Sequence, residues 1–356
     1  MKKWIKSSIT LASVAIVTLG LVACGDNNSN KESDTGKVEN IMGAGSSFIY
    51  PVMSRWINQY YNNTKIQVNY QPIGSGGGQR QIFKGTVNFA ASDQPLTPTQ
   101  LKEHKLIQFP AIVGGIVPVI NIKGVDNNKL VLSGKVLSEI YLGKIINWDN
   151  KQIQILNPDI KLPHSMILTI HRADGSGTTY NFSNYLAKVN PTWETEVGVN
   201  TTLKWPGNGV GAKGNAGVAA QVKSLPNSIG YVEYAYAKEG HMTTIKMINA
   251  DGKAVAPSLD TFKAAASDAK WKPSEDYELI LTNQPGTNSW PINATTFILL
   301  PKNNPKNMNQ AILSFFTWNY TEPAAKIAKN MDYIAIPQNV ITGIKAYWKK
   351  NLGYGA

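Results

Sequence analysis

Residues 172–178 read Arg-Ala-Asp-Gly-Ser-Gly-Thr. One permanent cation stands beside two glycines and two hydroxyl side chains, and a helix-compatible run follows at 179–187. The first N–H groups of a helix have no partner inside it, and its aligned peptide dipoles favour negative charge there. A guanidinium adds a planar fork of donors suited to a tetrahedral oxyanion. The chemistry offered is capture of a small anion by Arg172, Ser176, Gly177 and Thr178. Asp174, two residues from Arg172, is placed to pair with its guanidinium and hold it.

Two other stretches share this strand, glycine turn, helix form. Residues 43–48 (Gly-Ala-Gly-Ser-Ser-Phe) precede a helix predicted over 51–61, and residues 74–78 (Gly-Ser-Gly-Gly-Gly) precede one predicted near 78–84. Three such helix starts on one cleft would surround an anion. Each charge-assisted hydrogen bond is worth about 1.5–3 kcal/mol, so four or five exceed the roughly 8 kcal/mol of a micromolar affinity before costs. Taken singly, the segments have plainer readings. Residues 74–78 lack the Lys-Ser or Lys-Thr of a phosphate loop, and 43–48 lack the third glycine of a dinucleotide fingerprint. Either can be a structural turn, and Arg172 can be a surface ion-pair residue. Asp93, in Ala-Ser-Asp-Gln-Pro-Leu at 91–96, can be a helix cap or turn aspartate.

The elements that would position these groups alternate along the chain. Strand-like runs fall at 67–70, 89–91, 115–121, 167–170, 228–232 and 295–300. Helix-like runs fall at 51–61, 78–84, 135–141, 216–225, 259–266, 308–318 and 322–330. Strands interleaved with helices imply α/β units. The apolar segments near 115–121 and 291–300, each flanked by turn signals, are the expected crossovers. They divide the chain into a discontinuous domain I, 41–115 plus 291–356, and a domain II, 116–290.

The N-terminus sets the compartment. Residues 1–6 are basic, residues 8–20 are apolar but too short for a membrane span, and Leu-Val-Ala-Cys at 21–24 reads as a lipobox. The expectation is a signal peptide over 1–23 and acylation at Cys24, the only cysteine, anchoring the protein outside the cytoplasmic membrane; stable anchoring takes two or more acyl chains. Residues 25–40 are polar and unable to bury themselves, a tether spanning roughly 20–25 Å end to end. The net charge of +12 includes three signal-segment lysines, leaving +9 from residue 24 onward. Scattered lysines of this kind permit attraction to acidic surfaces. No dense basic run or nucleic-acid module is present.

In order, the segments 43–48, 70–77, 89–96, 140–149, 172–178, 211–215 and 229–238 resemble the phosphate-binding protein of the bacterial phosphate ABC importer. The resemblance runs through nearly all of 41–350. It implies a two-lobed type II periplasmic-binding-protein fold, with two α/β domains hinged around a buried ligand. It implies phosphate contacts from Ser47, Phe48 (through its backbone N–H), Ser75, Asp93, Arg172, Ser176, Gly177 and Thr178, with Asp174 supporting Arg172. Asp93 becomes the acceptor for a phosphate proton. Relatives usually have Thr where Ser47 stands, and commonly Ser where Gly76 stands; the first keeps the hydroxyl and the second lies outside the assigned contacts.

It further implies a monomer that uses no cofactor or metal and partners the permease subunits, which work with a cytoplasmic ATPase. Rival readings are a binder of another oxyanion or small solute, such as a sugar stacked on some of the nine tryptophans, and a phosphate-ester hydrolase using Ser75 or Ser176. A hydrolase needs a base held by its nucleophile. The four histidines show no metal-ligand spacing, and His171 on a strand points away from Arg172.

Overall fold

The computed structural model describes residues 38–207 and 209–354. The expected signal peptide, Cys24 and most of the tether lie outside the described residues. Twelve strands occur among the described residues: β1 (Asn40–Gly45), β2 (Gln67–Gln71), β3 (Phe89–Ser92), β4 (Leu106–Asn121), β5 (Val131–Ser133), β6 (Leu168–Arg172), β7 (Val210–Ala212), β8 (Ser228–Glu233), β9 (Thr243–Thr244), β10 (Lys246–Ile248), β11 (Ala254–Val255) and β12 (Asn293–Pro301). The main sheet has the order β2-β1-β3-β12-β4-β8-β6-β7, with β9 also pairing β4. A small second sheet is ordered β11-β10-β5.

β4 joins the two halves of the main sheet. Its residues 106–115 pair antiparallel with β12, and 116–121 pair antiparallel with β8. The strand expected at 115–121 therefore begins nine residues earlier than its pattern suggests. The added stretch contains Pro110. A proline removes a ladder donor and reads as a strand breaker, but a bulge accommodates it. The β12 register shifts between Thr296 and Phe297, which face Ile112 and Pro110, so Ala111 is the extra residue.

On one side of β4, β1 runs parallel to β2 and β3. On the other, β6 runs parallel to β7 and β8. Parallel strands need crossovers, and helices supply them. The helix Tyr50–Thr64 starts with Pro51, buries Val52, Met53, Trp56 and Tyr60 at helical spacing, and stops where Lys65 turns left-handed and donates to the Tyr61 carbonyl. The helix Gly177–Val189 is capped by Ser176, whose Oγ accepts from the Thr179 N–H. Trp56, Trp148, Trp193 and Trp290 are fully buried in the core.

The glycine run at 74–78 does not precede its helix, as the sequence suggested; it is the helix's first turn. The helix spans Ser75–Phe83, capped by Gly74 at φ +83. Glycine is a poor helix former, which is why the pattern placed the start later. Contact is what demands it. A Cβ on Gly78 would lie 2.5 Å from Gly45 Cα and 2.8 Å from the Ala44 carbonyl oxygen. Both neighbours are backbone and cannot swing aside. Gly78→Ala is therefore expected to lower unfolding stability by about 1–3 kcal/mol, despite alanine's better helix propensity. Urea unfolding in phosphate-free buffer measures this, and a stabilised variant would contradict the close docking on β1.

Candidate oxyanion-binding site

The loops following β1, β2, β3 and β6 meet at the C-terminal ends of parallel strands, the usual place for a ligand in an open α/β sheet. Every side chain singled out from the sequence arrives there. Ser47, Phe48, Ser75, Asp93, Arg172, Ser176 and Thr178 are each at most 4% exposed. Gly177 is also buried, and a Cβ on it would strike Ser75 Oγ at 2.4 Å and the Asp93 side chain at 2.6 Å. The glycine loops touch directly: the Gly76 N–H donates to the Gly175 carbonyl at 3.0 Å.

Arg172 donates through Nε to Asp174 Oδ1 at 2.7 Å and through Nη2 to Oδ2 at 2.5 Å. Its Nη1 reaches Thr178 Oγ1 at 3.4 Å. Asp174 Oδ1 also accepts the Gly214 N–H at 3.0 Å, from the first residue of the helix Gly214–Ser224. Burial alone would raise the Asp174 carboxyl; the Arg172 hydrogen bond and charge and the Gly214 amide outweigh it and hold it below the usual carboxylate range.

Asp93 is neither a cap nor an exposed turn residue. It sits just past β3, 1% exposed. Ser46 Oγ donates to its Oδ2 at 2.6 Å, Thr296 Oγ1 to its Oδ1 at 2.7 Å, and Ser75 Oγ lies 3.4 Å from Oδ2. The Asp93 N–H donates to Ser75 Oγ at 3.1 Å. Its carbonyl accepts Asn181 Nδ2 at 2.7 Å, a link from the helix that begins at Gly177.

The Ser46–Ser47–Phe48 loop is held from behind. Tyr70, Tyr236 and Tyr333 donate their hydroxyls to the carbonyls of Ser46, Ser47 and Phe48 in turn, each at 2.7 Å. Three consecutive carbonyls are thus engaged away from the site. The Phe48 N–H donates to Ser46 Oγ at 2.9 Å, and the Phe48 ring packs edge-on against Tyr333. Sequence reasoning missed Ser46, Thr296, Asn181 and the tyrosines. Ser46 lay inside a glycine loop already under suspicion. Thr296 sat in an apolar strand run and gave no signal.

A family model described as a PBP superfamily domain matches residues 30–322. Phosphate-binding protein PstS of Haemophilus influenzae is 46% identical over 342 residues, covering 96% of this chain and 98% of its own. Phosphate-binding protein PstS of Xylella fastidiosa is 47% identical over 309 residues, covering 86% and 84%. The chain belongs to the phosphate-binding protein PstS family.

The crystal structure of a phosphate-binding protein from Stenotrophomonas maltophilia shares the fold at a TM-score of 0.67 and 17% identity, over 86% of this chain and 93% of that one. The curled mixed sheet is thus that of a two-lobed type II periplasmic-binding-protein fold. PstS family members are extracytoplasmic substrate-binding proteins of transport. Among the described residues no helix is long and apolar enough to cross a membrane. Nor do any three or more His, Cys, Asp or Glu residues among them form a metal-holding group.

Electrostatics at this PstS site turn on Asp93. Burial pushes its carboxyl up to about 6, against the pull of hydrogen bonds from Ser46, Thr296 and Ser75 and of the Arg172 charge. The folded value exceeds the unfolded one, so folding favours the protonated form. The cost of the buried carboxylate is absent below pH about 4, grows as pH rises to about 6, and is then constant at no more than ~3 kcal/mol. Burial also raises Glu233 well above the ordinary range, so the parent's own pH profile does not isolate Asp93. The difference from Asp93→Asn does. In phosphate-free urea unfolding, the variant's stability relative to the parent is expected to improve between pH 4 and 6 and then level off. A difference that stays flat across that window would remove the burial cost assigned to Asp93.

Proposed function

We propose that this protein binds inorganic phosphate outside the cytoplasmic membrane and delivers it to the permease of a phosphate ABC transporter, where a cytoplasmic ATPase drives import. The supporting observation is one buried carboxylate, Asp93, facing three hydroxyls and near enough to feel the Arg172 charge. A carboxylate facing an anion is favourable only if that anion brings a proton. Hydrogen phosphate and dihydrogen phosphate do; sulfate at neutral pH does not. Sulfate would leave an acceptor unpaired against like charge, and sites built around such a hydrogen bond reject analogues lacking it by roughly 10⁴–10⁵. Arsenate is protonated as phosphate is, so this device separates the two poorly.

In this reading Arg172, Thr178, Ser176, Gly177 and Ser47 take the phosphate oxygens, the Phe48 N–H and the Ser75 hydroxyl join them by turning from Ser46 Oγ and Asp93 Oδ2 to the ligand, and Asp93 takes the proton. Domain I, 41–115 plus 291–356, contributes Ser47, Phe48, Ser75 and Asp93. Domain II, 116–290, contributes Arg172 and the 176–178 helix start. Release to the permease follows from parting the two about the strands where they join. The relatives named above are phosphate-binding proteins by name, which favours this reading over ester hydrolysis.

Calorimetry of residues 24–356 with phosphate, arsenate and sulfate tests the function. Phosphate and arsenate are expected to bind and sulfate to fail at pH 7.5. Arg172→Ala is expected to weaken phosphate at least roughly a hundredfold, since a charge-assisted donor goes and Asp174 is left unpaired. Asp93→Asn is expected to narrow the phosphate-to-sulfate ratio. In the parent the same narrowing is expected as pH falls through about 6, because a protonated Asp93 can itself donate. Equal exclusion of sulfate at pH 5 and 7.5 would place specificity elsewhere.

We also propose that Cys24 carries the lipid anchor. Cys24→Ala is expected to move the protein from the membrane fraction to the soluble one with phosphate affinity unchanged. Retention on the membrane would rule out acylation at this residue.

A further inference from the structure

Asn215 stands second in the helix Gly214–Ser224 and is fully buried. Its side-chain amide is oriented by β8. The Glu233 N–H needs an acceptor and finds Asn215 Oδ1 at 2.9 Å, so Nδ2 must face the other way. There its two hydrogens meet two hydroxyls, Ser47 Oγ at 2.9 Å and Thr178 Oγ1 at 3.2 Å. The Asn215 N–H donates to Ser47 Oγ as well, at 3.1 Å, and Arg172 Nη1 approaches Thr178 Oγ1 at 3.4 Å.

A hydroxyl has one proton and two lone pairs. Both lone pairs of Ser47 Oγ are taken by Asn215, and both of Thr178 Oγ1 by Asn215 and Arg172. All of these neighbours are donors, so neither hydroxyl can give its proton to them. Three neighbouring hydroxyls behave oppositely: Ser46, Thr296 and, more weakly, Ser75 point theirs at Asp93.

We infer that Asn215 is a positioning residue that fixes the Ser47 and Thr178 hydroxyls as pure donors toward the bound oxyanion, so that neither can accept the ligand's own proton, which is left for Asp93. This rests on the phosphate reading above. Asn215 thereby keeps a protonated ligand oxygen away from these two hydroxyls while making no ligand contact of its own. It also ties the loop after β1 to the helix start after β6, because one amide serves a hydroxyl from each.

The test is a mutant cycle read by calorimetry with inorganic phosphate, and by ³¹P NMR titration where affinity falls to millimolar. Asn215→Asp keeps the acceptor for Glu233 N–H but turns the donor into an acceptor, inviting both hydroxyls to point away from the ligand. It is expected to weaken phosphate more than Asn215→Ala, by roughly a hundredfold or more against roughly tenfold, as loss of one or two charge-assisted bonds implies. A purely structural role predicts the reverse order, since Asp is the closer shape.

Added carboxylate charge would repel phosphate by itself. The same substitutions are therefore made in a Ser47→Ala/Thr178→Val background. There the Asn215→Asp penalty is expected to shrink at least tenfold and the Asn215→Ala penalty to vanish. Equal penalties in both backgrounds would overturn the inference. If Asn215→Asp does not fold, the Asn215→Ala arm carries the same decision. Failure of the parent itself to bind phosphate would instead sink the functional reading.

Discussion

The bidentate pair between Arg172 and Asp174 is the interaction on which the site's geometry hangs. A lone buried guanidinium would be costly, and the pair is no guarantee of stability, since desolvating both charges offsets much of their attraction. What the pair contributes is direction. With Nε and Nη2 both on Asp174, the plane of the fork is set and Nη1 is carried toward Thr178. Asp174 in turn takes the Gly214 amide, which fixes where the helix Gly214–Ser224 begins and so where Asn215 lies. Gly74 must be glycine for the same reason. Its φ is +83, and a Cβ there would sit 2.3 Å from Asp174 Oδ2. One ion pair thus registers the loops after β2, β6 and β7 against each other.

The second organising constraint is the division of hydroxyls. Ser46 and Thr296 have their protons drawn by Asp93, while Ser47 and Thr178 have every lone pair filled by donors. The protein backbone and a few amides set these proton directions. The three tyrosines behind residues 46–48 serve the same end by engaging the carbonyls that would otherwise repel an anion. Such pre-orientation removes reorganisation from the binding step.

Much of this was legible in the sequence, and the gaps have physical causes. Arg172 and its neighbours announced themselves because glycines, hydroxyls and a cation in one short run have few other uses. The strand at 106–121 is longer than its apolar run at 115–121 because its first half pairs with β12 through a bulge at Ala111, which no local pattern shows. The helix start at Ser75 was placed late because propensity argues against glycine, whereas the 2.5 Å approach of Gly78 to Gly45 requires it. Asp93 was visible only as a turn aspartate until the family resemblance gave it a proton to accept. Thr296 lies 203 residues from it in the chain, and no local pattern can reveal a pair brought together by a sheet. Asn215 belonged to a recognisable motif, yet its role depends on the Glu233 N–H orienting its amide.

Several of these contacts join the two proposed domains: Tyr236 to Ser47, Asn215 to Ser47, Asn181 to Asp93 and Gly76 to Gly175. They hold the two together by neutral hydrogen bonds, each worth about 0.5–1.5 kcal/mol net. Working against them is the buried Asp93 carboxylate, whose charged form burial disfavours despite its hydroxyl donors. Closure alone is therefore opposed by the same group that phosphate relieves. A ligand shifts a conformational equilibrium only by its difference in affinity for the two states. An oxyanion without a proton adds charge to the closed site and leaves Asp93 unrelieved, so it favours closure less. In the proposed reading, selection among anions and coupling of binding to closure are then one effect, exerted through one carboxylate.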